Sequence, residues 1–217
     1  MKEPMAYFGK LRCEEVKENL EKNNFEVYFV EDRTEAATLV LEKLIPQSGA
    51  KSVSYGGSTT MKETGLLESL QQVDGIDLLR PDERDISNEE KLERRRQGLL
   101  VDLYITGTNA VTEDGWLVNL DMIGNRVGAI TFGPKQVIIL VGRNKIVEDL
   151  DAAMFRIKDY AAPVNAMRLD CKTPCVKTGH CEDCKSPGRI CNSWTITEKS
   201  FPKGRIKVIL INEDMGF

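Results

Sequence analysis

The chain has 217 residues, 41% hydrophobic and 29% charged, which gives room for one domain with a sizeable core plus a remainder and excludes global disorder. Thirty Lys and Arg against 34 Asp and Glu leave a net charge of −4, too acidic overall for a general nucleic-acid binder that works by neutralising phosphates. No apolar run approaches the roughly 18 residues of a membrane span, and the first residues turn charged before a signal-peptide core forms, so a cytoplasmic protein with no membrane span is expected.

Ala6, Cys13, Val16 and Leu20 fall on one helical stripe among Lys and Glu, the pattern of an amphipathic first helix. Phe25 to Val30 reads as a short strand. Asp32 with Glu35 forms a capping pair for a helix running through Ile45, which Pro46 and Gly49 end. A strand at Ser52 to Tyr55 leads through Gly56-Gly57-Ser58-Thr59-Thr60 into a helix carrying Leu66, Leu67 and Leu70. Ile76 to Leu79 is a short apolar piece, and Ser87 with Glu90 caps a charged helix that ends near Gly98. Strand signals follow at Leu100 to Thr106, Trp116 to Asn119 and Gln136 to Val141, the last apolar on both faces. A helix bearing Leu150, Ala153, Met154 and Ile157 precedes a cysteine-rich stretch. Trp194 to Thr197 and Ile206 to Ile211, joined around Phe-Pro-Lys-Gly, suggest a closing hairpin. Alternating strands and helices predict an α/β fold with a largely parallel sheet flanked by helices, and a cysteine-rich excursion before a C-terminal strand pair. The organisation expected is residues 1–168 as the main domain, 169–193 as a metal-binding excursion and 194–217 as strands returning to the main domain.

The turn Gly56, Gly57, Ser58, Thr59, Thr60 has a physical use, because glycines free the backbone and exposed amides with three hydroxyls can receive an anion. A plain strand-to-helix connection is the alternative. Gly107, Thr108 and Asn109 leave the next strand in the same way, and ligands of open α/β sheets bind beyond the carboxyl ends of strands. Glu113 and Asp114 are adjacent carboxylates able to serve as base or nucleophile, while Asp114-Gly115 is equally a hairpin turn. Asn119, Asp121, Gly124, Asn125 and Arg126 add a polar cluster ahead of a helix, where Arg126 can pair with a carboxylate or phosphate or close a surface salt bridge. Lys91, Arg94, Arg95 and Arg96 share a helix with Glu89, Glu90 and Glu93 and read as a solvated face.

Five of six cysteines, Cys171, Cys175, Cys181, Cys184 and Cys191, lie within 21 residues, and Cys13 stands apart in the first helix. Cys181 and Cys184 form a CxxC pair with Cys175 before it and Cys191 after it. Four sulfurs so spaced fit a [4Fe-4S] cluster or structural zinc, with unbound thiols or a redox pair as the alternative. His180, the single histidine, adjoins Cys181 as ligand or neighbour.

The run Ile105 to Ile146, ITGTNAVTEDGWLVNLDMIGNRVGAITFGPKQVIILVGRNKI, resembles the signature of the LUD-domain family, the lactate utilisation proteins. The upstream YGGSTT turn, Gly65 to Leu67, and the TPC, TGHC, DC and RIC pieces fit the same family, in the same order. The resemblance implies a fold like that of the ribose-5-phosphate isomerase, glucosamine-phosphate deaminase and CoA-transferase superfamily. It implies a phosphate-binding character for Gly56 to Thr60 and acidic catalytic groups near Glu113 and Asp114. It also implies participation in oxidation of L-lactate to pyruvate beside iron-sulfur partner proteins. The family's cysteine pattern falls on Cys175, Cys181, Cys184 and Cys191 and leaves Cys171 outside. The leading expectation is a lactate utilisation protein binding a small anionic metabolite. The rivals are an isomerase or transferase acting on a sugar phosphate or CoA ester, and a non-catalytic metabolite-binding accessory subunit.

Overall fold

A computed structural model describes residues 4–217. In chain order the elements are α1 (Pro4–Lys22), β1 (Glu26–Val30), α2 (Arg33–Thr38), a π-helical stretch (Leu39–Leu44) running into α3 (Ile45–Ser48), β2 (Ser52–Tyr55), α4 (Thr59–Glu63), α5 (Leu66–Leu70), β3 (Asp77–Leu79), α6 (Asn88–Gln97), β4 (Leu103–Gly107), β5 (Ala110–Thr112), β6 (Leu117–Asp121), α7 (Asn125–Thr131) and β7 (Gln136–Gly142). A 3-10 turn (Arg143–Lys145), β8 (Ile146–Val147), α8 (Leu150–Arg156), a second π-helical stretch (Ile157–Ala161), α9 (Ala162–Arg168), α10 (Cys175–Thr178), β9 (Ser193–Thr197) and β10 (Ile206–Ile211) complete the chain.

Six strands form an all-parallel sheet in the order β1-β10-β7-β4-β2-β3. Its central strands are apolar on both faces because helices cover both. Val137, Ile139 and Val141 of β7 pack with Cys13, Val16 and Leu20 of α1 and with Ile130 of α7. Their alternates Ile138 and Leu140 join Val40, Leu44, Met61 and Leu66 on the other face, as the two-residue period of a strand requires. A smaller sheet, β8-β5-β6-β9, packs Ala110, Val118 and Leu120 against Ala153 and Ile157.

Two local expectations change. The C-terminal strands form no hairpin: β9 runs antiparallel to β6 in the small sheet, while β10 enters the large sheet between β1 and β7. The cause is burial pattern, since every residue of β10 is buried and needs neighbours on both edges and faces, whereas β9 is an edge strand with Trp194 and Ile196 partly in solvent. Pro46 does not end its helix but sits in the last short segment, and Gly49, with φ +63, closes it. The π-helical stretch ahead of Pro46 widens the ladder where the proline lacks an amide hydrogen.

Candidate functional site

In a parallel sheet all carboxyl ends share one edge. Here β2 ends into Gly56, its neighbour β4 ends at Gly107, and β7 ends at Gly142 just before the Arg143–Lys145 turn. The three exits enclose a cleft lined by Gly57, Ser58, Thr59, Gly107, Thr108, Asn109, Asp121, Arg126 and Lys145, with Asn165, Arg168 and Leu169 of α9 and Ile190 of the cysteine segment opposite. Its cavity volume is about 140 Å³, small beside the roughly 300–1,000 Å³ typical of drug-sized ligands. Three basic side chains, Arg126, Lys145 and Arg168, face it against one carboxylate, Asp121, which Arg126 Nε already holds at 3.2 Å.

Packing dictates the glycines. A Cβ on Gly107 would stand 2.6 Å from Ser58 Oγ, and one on Gly56 would stand 2.7 Å from Thr106 Oγ1. Ser58 caps α4 by accepting the Met61 amide. Arg126 is buried and ties the site together: it donates to Gly107 O at 3.2 Å, to Asn109 Oδ1 at 3.0 Å and to Asn119 Oδ1. Asn119 Oδ1 also accepts from the Thr108 hydroxyl, while its Nδ2 is buried without a partner among the described residues. Asp121 Oδ2 accepts the Gly124 amide at 2.9 Å, which fixes the start of α7. Gly56, Thr60 and Asn119 therefore sit behind the cleft wall, and Gly124 and Asn125 open α7 outside the cleft lining.

Glu113 and Asp114 are not brought into this set. They occupy the β5–β6 turn, with Gly115 at φ +78, packed on α1. Arg12 pairs with the Glu113 carboxylate, and Asn19 and Asn23 donate to the carbonyls of Glu113 and Asp114. Arg94 and Arg96 are likewise spent on Glu83, Glu90 and Glu93.

Sequence reasoning missed Lys145, Asn165 and Arg168. Lys145 had a usable signal, a lysine three residues past the end of a parallel strand that is apolar from Val137 onward. The Lys145 amine is buried, donates to Thr60 Oγ1 at 2.8 Å and Thr108 O at 3.2 Å, and is pushed down to about 7 by burial and then by Arg156 and Arg126.

Cys175, Cys181, Cys184 and Cys191 line one pocket, walled by Ala162, Pro163 and Ala166 of α9, with Ile190 and Lys158. Arg189 staples its loop by donating to Cys184 O at 2.7 Å and Cys191 O at 2.6 Å. Hydrogen bonds from Ser186 hold the Cys184 thiol below its ordinary value, which favours the ligating thiolate. Cys171 opens on a separate surface pocket, His180 lies on an exposed turn, and Cys13 is core. Among the described residues no three His, Cys, Asp or Glu side chains converge closely enough to hold a single ion. The four thiols around this apolar-walled pocket are the side chains that would hold a zinc ion or an iron-sulfur cluster.

The LUD domain model matches residues 13–211. The chain belongs to the LUD-domain family. That family is linked to lactate utilisation, and the match spans both the cleft and the cysteine pocket. No curated protein matches this LUD-domain chain. The crystal structure of a DUF162 family protein from Deinococcus radiodurans is similar to it at 18% identity and a TM-score of 0.48, covering 94% of this chain and 98% of that one. No described helix is long and apolar enough to cross a membrane.

Proposed function

We propose that this LUD-domain chain is a lactate utilisation protein that binds L-lactate in the cationic cleft and takes part in its oxidation to pyruvate together with iron-sulfur partner proteins. The observation that carries the reading is contiguity. Ile190 lines both the cleft and the thiol pocket, and α9 faces the cleft through Asn165 and Arg168 and the pocket through Ala162 and Ala166. A small carboxylate suits the cleft's volume and its surplus of positive charge. Arg168 anchors the carboxylate, the charge of Arg126 lies behind it, and Ser58 and Thr59 offer hydroxyls to the 2-hydroxyl group. Cys175, Cys181, Cys184 and Cys191 would hold a [4Fe-4S] cluster, which supplies one-electron transfer when bound. Oxidation of lactate releases two electrons and two protons, and side chains alone accept no electrons. The partner proteins therefore take the electrons.

Iron, zinc and acid-labile sulfide are to be measured on protein purified without oxygen, with electron paramagnetic resonance after reduction. About four iron and four sulfide per chain are expected, lost in the Cys181→Ser and Cys184→Ser variants. Stoichiometric zinc without sulfide, or neither metal, would remove the redox part of the proposal. An intact cluster in protein whose stability L-lactate does not raise would remove the substrate.

A further inference from the structure

Lys145 is buried and, among the described residues, has no ion-pair partner in contact. Its residue is 4% exposed, and its Nζ reaches only a hydroxyl and a carbonyl. Among the described residues it enters no ion pair, whereas Arg126 in the same cleft holds Asp121. The charged groups facing it are Arg156 of α8, Arg126 of α7 and Glu63 of α4. Arg156 donates to the Asn144 and Asn109 carbonyls and adds unbalanced positive charge. Glu63 is engaged by the Gly216 amide at 2.8 Å. A cation placed so is disfavoured until an anion joins it, and the cleft that Lys145 lines is open to one.

Resting on the reading of the cleft as an anion site, we propose that Lys145 is its proton-holding group: above neutral pH the amine is uncharged in the free protein and accepts one proton when a small 2-hydroxy or 2-oxo carboxylate enters. The nitrogen lone pair takes the proton from solvent, and no bond of the ligand breaks. The incoming carboxylate then supplies the missing counter-charge, so anion and proton bind as a neutral pair. The ordinary lysine value of 10.5 lowered to about 7 agrees with this geometry. Binding is then proton-linked: above pH 7 the apparent Kd weakens by up to about tenfold per pH unit, and below it levels off.

The test is isothermal titration calorimetry of the full chain with L-lactate, pyruvate and oxamate, in buffers of different ionisation enthalpy at pH 6 and pH 8. Wild type is expected to take up close to one proton at pH 8 and little at pH 6. Lys145→Arg, charged at both pH values, should bind with no uptake. Binding by wild type with no uptake at pH 8 overturns the role of Lys145 and leaves the cleft assignment standing. Absence of binding by all three carboxylates overturns the cleft assignment instead. Lysine Cε chemical shifts in the unliganded protein judge Lys145 independently of any ligand: one lysine titrating near pH 7 and missing in Lys145→Arg supports the proposal, and no lysine titrating below pH 9 overturns it.

Discussion

Replacing Lys145 by Met changes stability in a way that depends on pH, and the sign follows from where the proton sits. In the unfolded chain the lysine keeps its proton up to 10.5, whereas the folded amine gives it up above about 7. Between those values the unfolded state binds more protons, so wild-type stability climbs with pH across that window. Each pH unit is worth about 1.4 kcal/mol. Below pH 7 the buried amine therefore lowers stability by something on the order of 5 kcal/mol relative to a lysine left in water, and the loss fades towards pH 10.5. Met fills similar volume without a proton to lose, and its packing difference does not vary with pH. The difference in unfolding free energy between wild type and Lys145→Met should thus shift by on the order of 3 kcal/mol in favour of wild type between pH 7 and pH 9.5. Urea unfolding followed by circular dichroism at both pH values measures it. A difference that stays constant to within roughly 0.5 kcal/mol would refute the claim that burial without an ion-pair partner lowers the proton affinity of Lys145.

Glu113→Gln should leave carboxylate binding at the cleft unchanged and cost less than about 1 kcal/mol, because among the described residues its side chain is held only by the partly exposed Arg12. A large loss of ligand affinity with normal stability would return Glu113 to the site. Gly107→Ala brings a Cβ to 2.6 Å from Ser58 Oγ, displacing the cap of α4. The expected result is a loss of roughly 1–3 kcal/mol in thermal or chemical unfolding, together with weaker lactate binding in calorimetry. An unaltered variant would show that Ser58 does not need its present position.

Local signals carried much of the fold. Ser52 to Tyr55 and Ile206 to Ile211 are strands at those bounds, and Ser87 caps α6 through its side chain. Such features depend on neighbours in sequence, where period and capping chemistry act. The small sheet was not legible as a sheet, because β6 finds β9 more than seventy residues later, and no local pattern announces that pairing. The same distance explains Glu113: its turn was visible, but Arg12, Asn19 and Asn23, which occupy it, come from α1. The glycine exits were legible because they follow strands. Arg168 and Asn165 were not, since a helix far along the chain swings back over the strand ends.

The cysteine segment is joined to the cleft by bonds as well as by position. Asn192, next to Cys191, donates its amide to Asp121 O at 3.0 Å and its side chain to Met122 O at 3.0 Å. Asp121 in turn holds the Gly124 amide and the Arg126 guanidinium, and Arg126 braces Gly107, Asn109 and Asn119. Asn192, Asp121 and Arg126 are three consecutive partners, so a shift in the loop that Arg189 closes around Cys184 and Cys191 reaches the strand exits through a continuous chain of hydrogen bonds that ends on the buried Arg126. A spacing device alone would need no such link. An exposed metal loop attached by a flexible tether moves without disturbing a ligand site, but here Ile190 and Asn192 flank Cys191 and touch the cleft and its lip respectively. Whatever fixes the four thiols in place therefore also fixes one wall of the cleft, and occupancy of either site should be felt at the other.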